Sequence, residues 1–262
     1  MSSTLNMSCQ LKWLTILIFL ASPFFYSSTY AETVLSRSVY KGSISGWKVE
    51  MVRTLKQTTE DRYELRSEAK NLFASIREVS EFEIRDDQLR PLTYSYERKV
   101  FGRSATEKIA FDWPANAAHY TRSDRSQNNT SHEITPGMLD PALYQLAMQA
   151  DLAQGSDTFS YTFVKRKRIE TYKFTEKPGE KLKIGKQNYD SEVVSREDED
   201  KAKSTKIWVI PAINYQVGQI QHTDDGDTYQ IRLAEYRGDT AQLNRLYARI
   251  AKAQPNNNGD AR

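Results

Sequence analysis

Residues 89–113, LRPLTYSYERKVFGRSATEKIAFDW, alternate between apolar and polar side chains on both sides of Gly102. A period of two is typical of β-strands that have one face in a core and the other in water. The basic residues fall mostly at polar positions and around Gly102, with Arg98 as the exception. We therefore interpret the stretch as a β-hairpin and not as a basic, aromatic binding surface. The apolar positions are Leu92, Tyr94, Tyr96, Val100, Ile109, Phe111 and Trp113.

The same alternation continues through most of the chain from about residue 34. It is most regular in RYELRSEAK (62–70) and recurs in SEFEIR (80–85), which predicts half-buried antiparallel strands. KIWVIPAINYQVGQI (206–220) alternates less, which predicts strands covered on both faces. We count about ten to twelve strands and predict a mainly β fold, a strongly curved antiparallel sheet in the form of a half-barrel or open barrel. The predicted turns are TTED (58–61), Asp86-Asp87, Pro178-Gly179 and Asp225-Gly226.

Two helices interrupt the strand pattern. Leu139, Leu143, Leu146, Ala147 and Ala150 recur at helical spacing and predict one internal helix that Gly155 ends. Residues 240–254 place an apolar stripe on a second helix, with its charges largely off the stripe. We expect this C-terminal helix to dock on the sheet, with a membrane-surface helix as the alternative. The predicted organisation is a single β-domain over 32–238, followed by the helix and a disordered tail over 239–262.

The first 31 residues have the pattern of a secretory signal peptide. The apolar run WLTILIFLASPFF (13–25) follows Lys12 and is too short to cross a bilayer comfortably. Thr29 and Ala31 supply small residues before a cleavage site after Ala31. We expect a cleaved signal peptide over 1–31 and a periplasmic mature chain without a transmembrane span. An uncleaved anchor is the alternative.

Composition excludes several classes of function. The only cysteine, Cys9, precedes the apolar run, so the mature chain has no disulfide, thiol nucleophile or thiolate metal site. A formal charge of +3 with 27% charged residues indicates a mixed, solvated surface and no nucleic-acid partner. KRKR (165–168) is the strongest charge run, and we interpret it as a solvated turn, with anionic headgroups or acidic glycans as the functional alternative.

No residue pattern indicates catalysis, a metal or a cofactor. His119, His132 and His222 are far apart and form no recognised ligand spacing. HTDDGDTY (222–229) lacks the spacing of a calcium loop and is typical of a hairpin turn. The sequence has no GxSxG motif, so we expect a protein that is not an enzyme. Paired carboxylates from different strands stay open as a route to glycoside hydrolysis.

Several segments resemble a family of exported proteobacterial proteins known only as a domain of unknown function. The resemblance covers roughly residues 35–237 and implies a curved sheet around a helix, similar to the lipoprotein-carrier half-barrels of the bacterial envelope. Gln216 follows Tyr215 where that family usually has a proline. The matching residues are Leu89, Arg90 and Pro91, then Tyr94, Tyr96 and Arg98, then Phe111, Asp112 and Trp113, then Asp140, Pro141, Asp151 and Leu152, and finally Trp208 and Tyr215.

The leading functional hypothesis is a periplasmic, non-enzymatic binding or envelope-maintenance protein. Its concave sheet would hold an apolar or amphiphilic, lipid-like ligand, and no cofactor is expected. The residues we expect to line the ligand are Trp47, Tyr94, Tyr96 and Trp208. A scaffold for another envelope protein, using an edge strand or the C-terminal helix, is the second hypothesis. A glycan hydrolase is the third.

Overall fold

The computed structural model describes residues 32–253 apart from 45–46, 87, 157–158 and 198–202. The predicted signal peptide and the tail beyond residue 253 lie outside this range. Two α-helices are described, α1 (Leu143–Ala153) and α2 (Thr240–Ala253). The strands are β1 (Thr33–Ile44), β2 (Trp47–Gln57), β3 (Arg62–Lys70), β4 (Ala74–Arg85), β5 (Gln88–Val100), β6 (Arg103–Asp112), β7 (Ala117–Arg122), β8 (Thr130–Glu133), β9 (Phe159–Lys165), β10 (Arg168–Ile184), β11 (Gln187–Glu197), β12 (Lys203–Ile210), β13 (Gln216–Asp224) and β14 (Asp227–Gly238).

The strands form one antiparallel sheet that curls into a nearly closed barrel. Their order is β8-β7-β6-β5-β4-β3-β2-β1-β14-β13-β12-β11-β10-β9. Strands that follow one another in the chain therefore pair, except β8 and β9 at the two edges, and β1 pairs with β14. The predicted fold class is confirmed. The described part of the chain holds fourteen strands, more than the ten to twelve expected. Short strands such as β7, with six residues, and β8, with four, are hard to detect because so few alternations fit in them.

The hairpin predicted over residues 89–113 is confirmed. β5 and β6 pair through a two-residue turn in which Phe101 has φ 46° and Gly102 has φ 78°. Positive φ at both central residues is typical of the type I′ turn, whose twist matches that of the flanking strands. The Asp225-Gly226 turn between β13 and β14 has the same signature, with φ 49° and 90°.

The prediction of a turn at Pro178-Gly179 is wrong. β10 runs through both residues, and its register with β11 shifts between Lys177 and Glu180, which marks a β-bulge. A bulge accommodates a proline, which has no N–H to donate to the ladder, without ending the strand. The chain reverses instead at residues 185–186. Pro178 and Gly179 therefore indicate a bulge within the strand and not a reversal of the chain.

Helix α1 fills the inside of the barrel. Residues 146–152 are all buried, so the helix is covered on every side and not along a single stripe. Leu146, Ala147, Met148 and Ala150 are at most 2% exposed and pack with the inward-facing side chains of the sheet. Gln149 donates a hydrogen bond from Nε2 to the Tyr215 carbonyl (2.8 Å), which satisfies a polar group inside this core. The concave face that we expected to hold a ligand is thus occupied along its centre by α1.

Helix α2 docks on the barrel, as predicted. Leu243, Leu246, Tyr247 and Ile250 are at most 2% exposed and belong to the same core as α1. Arg249, on the flank of the helix, reaches Asp61 (Nη2 to Oδ1, 2.6 Å) in the β2–β3 loop. No helix among the described residues is long and apolar enough to cross a membrane.

The two edges of the sheet approach each other without a β-ladder. Among the described residues, β8 and β9 do not pair. The segment before α1 covers the edge of β9: Leu139 donates to Thr162 O (2.9 Å) and accepts from Val164 N (3.1 Å). His132 of β8 contacts the Arg166 carbonyl in the β9–β10 turn through Nε2 (3.0 Å). A covered edge offers little for a further strand to pair with.

Replacing Leu246 with alanine should lower the free energy of unfolding by about 2–5 kcal/mol, because the change leaves a cavity between α2 and the core. Denaturant titration followed by circular dichroism measures the loss. Arg245→Ala is the matched control, since Arg245 is exposed on the same helix and its loss should change stability by about 0.5 kcal/mol or less. Equal effects of the two changes would show that α2 does not depend on this packing.

Candidate functional site

Four side chains form a row across the inner face at one end of the barrel. Register places Glu78 of β4 beside Tyr96 of β5, Tyr96 beside Glu107 of β6, and Glu107 beside Arg122 of β7. Residues paired across antiparallel strands point to the same face, so these groups share one surface. Three of these four side chains carry a formal charge, although the inner face of the sheet otherwise contributes apolar side chains to the core.

The next row inward is mostly apolar. Ser80, Tyr94, Ile109 and Tyr120 lie beside one another on the same four strands. Tyr94 donates its hydroxyl to Glu78 Oε1 (2.7 Å), which links the two rows. Burial raises the pKa of the Tyr94 hydroxyl, and the neighbouring Glu78 carboxylate raises it further. Tyr94 therefore stays a neutral hydrogen-bond donor at any physiological pH.

Two adjoining cavities of about 230 and 240 Å³ open at this end of the barrel. They share Tyr96, Glu107 and Arg166, and we refer to them together as the end pocket. Arg98 and Ala105 pair near the β5–β6 turn and line its outer part. The remaining lining residues are Glu78, Tyr94, Ile109, Tyr120, Arg122, Pro141 and Lys165.

Glu107 holds the two edges of the sheet together across the end pocket. Its carboxylate contacts Arg166 Nε through Oε2 (3.0 Å) and Arg122 Nη1 through Oε1 (3.4 Å). Glu107 is only 8% exposed, and a buried carboxylate is stable only when charges or donors compensate it. Because Arg166 lies in the β9–β10 turn and Arg122 ends β7, this ion-pair group bridges the gap that no β-ladder closes.

The cations of the end pocket differ in how far carboxylates compensate them. The lining contains four cations, Arg98, Arg122, Lys165 and Arg166, and two carboxylates, Glu78 and Glu107. Asp124 and Glu170, outside the lining, pair with Arg122 (2.5 Å) and Lys165 (3.1 Å). Arg98 is exposed, and no described carboxylate forms an ion pair with it. A cationic rim over a tyrosine-lined wall suits a ligand that carries an anion on an apolar stem.

Asp140 lies just before α1 and is fully buried. Its Oδ1 accepts hydrogen bonds from the backbone N–H groups of Ala142 (2.8 Å) and Leu143 (3.0 Å), as a capping residue does at a helix start. Its Oδ2 accepts one from the Ser80 hydroxyl (2.5 Å). Burial raises the pKa of the Asp140 carboxyl to about 7. Asp140 thereby anchors α1 to β4 beside the end pocket.

The structure brings together two of the four residues expected to line a ligand. Tyr94 and Tyr96 line the end pocket. Trp208 lies elsewhere: Ile207 and Val209 face the main core, and Trp208 faces outward into a small second cluster with Leu182, Val193 and Ile210. Its indole Nε1 donates to Glu180 Oε2 (2.8 Å). The side chain of Trp47 lies outside the described part of the structure, although its backbone belongs to β2.

Strand alternation alone does not predict the charged residues of the end pocket, but the sequence contains a signal for them. Glu107 shares its face with Ile109 and Phe111, and Glu78 shares its face with Ser80 and Phe82. Both are therefore carboxylates at positions where the alternation predicts apolar side chains. Arg98 is a third charged residue at an apolar position, the exception already evident from the alternation of residues 89–113.

The other features predicted from the sequence form turns or strand contacts, and most of them lie outside the end pocket. KRKR forms the β9–β10 turn as predicted, and its first two residues, Lys165 and Arg166, also line the end pocket. His119 contacts the Ser131 hydroxyl (2.8 Å), and His222 contacts the Thr205 hydroxyl (3.0 Å). Within the described ranges, no group of three or more histidine, aspartate or glutamate side chains could hold a metal ion.

Several residues of the resemblance stabilise the hairpin over 89–113. Trp113 donates from Nε1 to the Pro91 carbonyl (2.8 Å), and the guanidinium of Arg90 lies 5.9 Å from the centre of the Trp113 ring. Asp112 accepts from the Ala115 N–H (3.1 Å) in the following turn. These contacts tie the start of β5 to the end of β6, so they explain local structure and not ligand contact.

Comparison with known families places the chain in one of them. A family model described as "Protein of unknown function (DUF3108)" matches residues 33–233, which span almost the whole sheet. The chain belongs to this family. A comparison with curated proteins found no match. The likeness to envelope lipoprotein carriers stays a prediction.

The fold is also similar to a solved structure. This is the crystal structure of a beta-barrel-like protein of the domain of unknown function DUF1849 from Brucella abortus. The TM-score is 0.52 at 9% sequence identity, and the match covers 79% of this chain and 98% of that one. At this identity the likeness shows a shared barrel-like architecture alone.

The burial of Asp140 should make stability depend on pH. Its pKa is about 7 in the folded chain but near 4 when unfolded, so its contribution is complete below about pH 4 and is lost as pH rises through 7. Relative to Asp140→Asn, the unaltered protein should lose roughly 3 kcal/mol of unfolding free energy between about pH 4.5 and 8. Denaturant titrations at both pH values measure the difference. Parallel pH profiles would contradict a buried, titrating Asp140.

Proposed function

We propose that this chain is a periplasmic, non-enzymatic binding protein that holds the anionic head of an amphiphile in the end pocket. The observation that carries the proposal is that Arg98, a cation without a described ion pair, lines one cavity and a wall of tyrosines with Ile109 lines the cavity that adjoins it. The proposed location differs from the open concave groove expected from the sequence, because α1 fills the centre of the barrel.

The size of the end pocket defines what it would hold. Each of its two cavities, of about 230 and 240 Å³, is smaller than the ~300–1,000 Å³ typical of sites that enclose a drug-sized ligand, and the two together reach only the lower part of that range. They accommodate a phosphate or carboxylate head and the first carbons of its chain. Pro141 lines the end pocket and the helix that follows it is buried in the core, so the rest of an acyl chain would extend outward past the β5–β6 turn.

The periplasmic assignment rests on the signal-peptide pattern of residues 1–31. An anionic amphiphile is also a ligand that the bacterial envelope supplies in quantity, as phospholipid or lipopolysaccharide. An envelope-maintenance role would follow from binding such a molecule.

The scaffold hypothesis has less support. The surfaces proposed for it were an edge strand and the C-terminal helix. The edge of β9 is covered by the segment that contains Leu139, and the apolar stripe of α2 is buried in the core. Deleting residues 240–262 would therefore unfold the barrel instead of removing a partner alone.

One observation favours a glycan hydrolase as the second candidate. Glu78 and Glu107 line the same cavity and are separated by one strand, which puts their backbones about 10 Å apart. Both carboxylate oxygens of Glu107, however, are engaged in ion pairs with Arg122 and Arg166 and are not free to contact a sugar. Release of reducing sugar from peptidoglycan by the unaltered protein, and its loss in Glu78→Gln, would establish this activity. The binding proposal predicts no release.

Arg98→Gln should weaken the binding of dodecyl phosphate about tenfold, because one charge-assisted contact with the anion is lost. Isothermal titration calorimetry with dodecyl phosphate below its micelle concentration measures the affinity. Lys108→Gln is the matched control, since Lys108 is exposed on the neighbouring strand but points to the outer face.

Two further probes test the contributions of the anionic head and the apolar chain one at a time. Inorganic phosphate lacks the chain and dodecyl maltoside lacks the charge, so both should bind much more weakly than dodecyl phosphate. Extraction and mass spectrometry of protein purified from the periplasm should in addition find a co-purifying anionic amphiphile. If dodecyl phosphate does not bind saturably, or binds Arg98→Gln as tightly as the unaltered protein, the end pocket is not the proposed site.

A further inference from the structure

Three large apolar side chains are exposed together at the end of the barrel where the end pocket opens. Leu72 and Phe73 lie in the β3–β4 turn, and Phe101 lies in the β5–β6 turn. Their exposed fractions are 85%, 40% and 77%. We refer to these three residues as the apolar tip.

Contacts within and between two neighbouring turns hold the apolar tip in place. The rings of Phe73 and Phe101 lie 5.5 Å apart, and the Phe101 N–H donates to the Phe73 carbonyl (3.1 Å). Asn71 accepts from the N–H groups of Phe73 (2.9 Å) and Ala74 (2.8 Å) through its side chain, which shapes the first turn. The turns therefore hold these side chains out in water, where single apolar residues are ordinary but a cluster marks an interaction site.

The two turns that carry the apolar tip and the residues next to them in sequence are basic, although Glu50 lies beside Lys70 on the neighbouring strand. Residues 69–75 and 99–105 contain Lys70, Lys99 and Arg103 and no acidic residue. The acidic turn of Asp225 and Asp227 lies at the same end of the barrel but on the β13–β14 side. An anionic surface would therefore attract the β3–β6 side of this end and repel the other side.

We propose that the apolar tip docks this protein on a membrane surface that contains anionic lipids. Leu72, Phe73 and Phe101 enter the boundary between headgroups and acyl chains, and Lys70, Lys99 and Arg103 lie at the level of the phosphates. Arg98, next to Lys99 in β5, lines the end pocket close to these residues. Docking therefore directs the mouth of the end pocket towards the bilayer. The proposal goes beyond the binding function, because docking does not require a ligand in the end pocket.

A membrane fits the apolar tip better than a protein partner does. A stable protein interface buries about 800 Å² on each side, whereas an aromatic side chain supplies on the order of 200 Å². Three side chains on two protruding turns fall short of that area. Partial insertion into a bilayer needs no complementary surface and uses both the apolar side chains and the cations around them.

Vesicle co-sedimentation tests the proposal. The chain from residue 32 onward is used, because the apolar run at 13–25 would itself bind lipid. It should bind vesicles of phosphatidylcholine with 30% phosphatidylglycerol and bind pure phosphatidylcholine far more weakly. The double variant Leu72→Ser/Phe101→Asn should bind the mixed vesicles at least about tenfold more weakly. Asparagine suits position 101 because it tolerates the positive φ of 46° there.

Matched controls separate the apolar tip from general properties of the surface. Val34→Ser removes an apolar side chain that is 52% exposed at the opposite end of the barrel and should leave vesicle binding unchanged. Lys99→Gln and Arg103→Gln should each weaken binding about fivefold, because each removes one phosphate contact. Lys183→Gln and Lys186→Gln, near the β10–β11 turn at the opposite end, should have no effect.

The outcomes distinguish this proposal from the binding function. Saturable binding of dodecyl phosphate without binding to the mixed vesicles rejects docking and leaves the end pocket intact as a site. Vesicle binding that the double variant loses, without binding of dodecyl phosphate, supports docking and rejects the amphiphile site. Vesicle binding that survives the double variant rejects the apolar tip. Unchanged circular dichroism and melting temperature of each variant confirm that the comparison is between folded proteins.

Discussion

The inner face of a large antiparallel barrel must be covered by apolar groups, and in this protein one helix covers most of it. Residues 146–152 of α1 are buried without interruption, so the helix contacts core side chains in every direction. Its start is held by Asp140, which caps the helix and accepts the hydroxyl of Ser80 from β4. The curvature of the sheet, the position of α2 and the shape of the end pocket all depend on where this helix lies.

A consequence of this filling is that the described part of the inner face opens into a cavity at the end of the barrel and not at its centre. The end pocket lies where the inner face continues beyond α1, and its polar row from Glu78 to Arg122 is the edge of the core. At the same place the sheet is closed by Glu107, Arg122 and Arg166, and not by backbone pairing. A ligand anion that competes with Glu107 for these arginines would act on the closure of the barrel itself.

Several features of the fold were predictable from local pattern, and others were not. Alternation in residues 89–113 predicted the β5–β6 hairpin, and the Asp225-Gly226 pair predicted a tight turn, because both depend on neighbours in sequence. The turn predicted at Pro178-Gly179 is wrong because a bulge and a reversal use the same residue types. Trp208 and Tyr94 looked equally suitable as lining residues, although they point to different clusters. Which of the two faces of a strand encloses the pocket is set by long-range pairing.

The sequence by itself determined the strand-rich class, the two helices and the segregation of charge from most of one face, since these follow from the periods of two and of 3.6 residues. Only the tertiary structure decided that Glu78, Tyr96, Glu107 and Arg122 form one row, because the register between strands joins residues far apart in the chain. It also decided that Phe73 and Phe101 come together at the same end. Register is a property of paired strands, and no single strand encodes it.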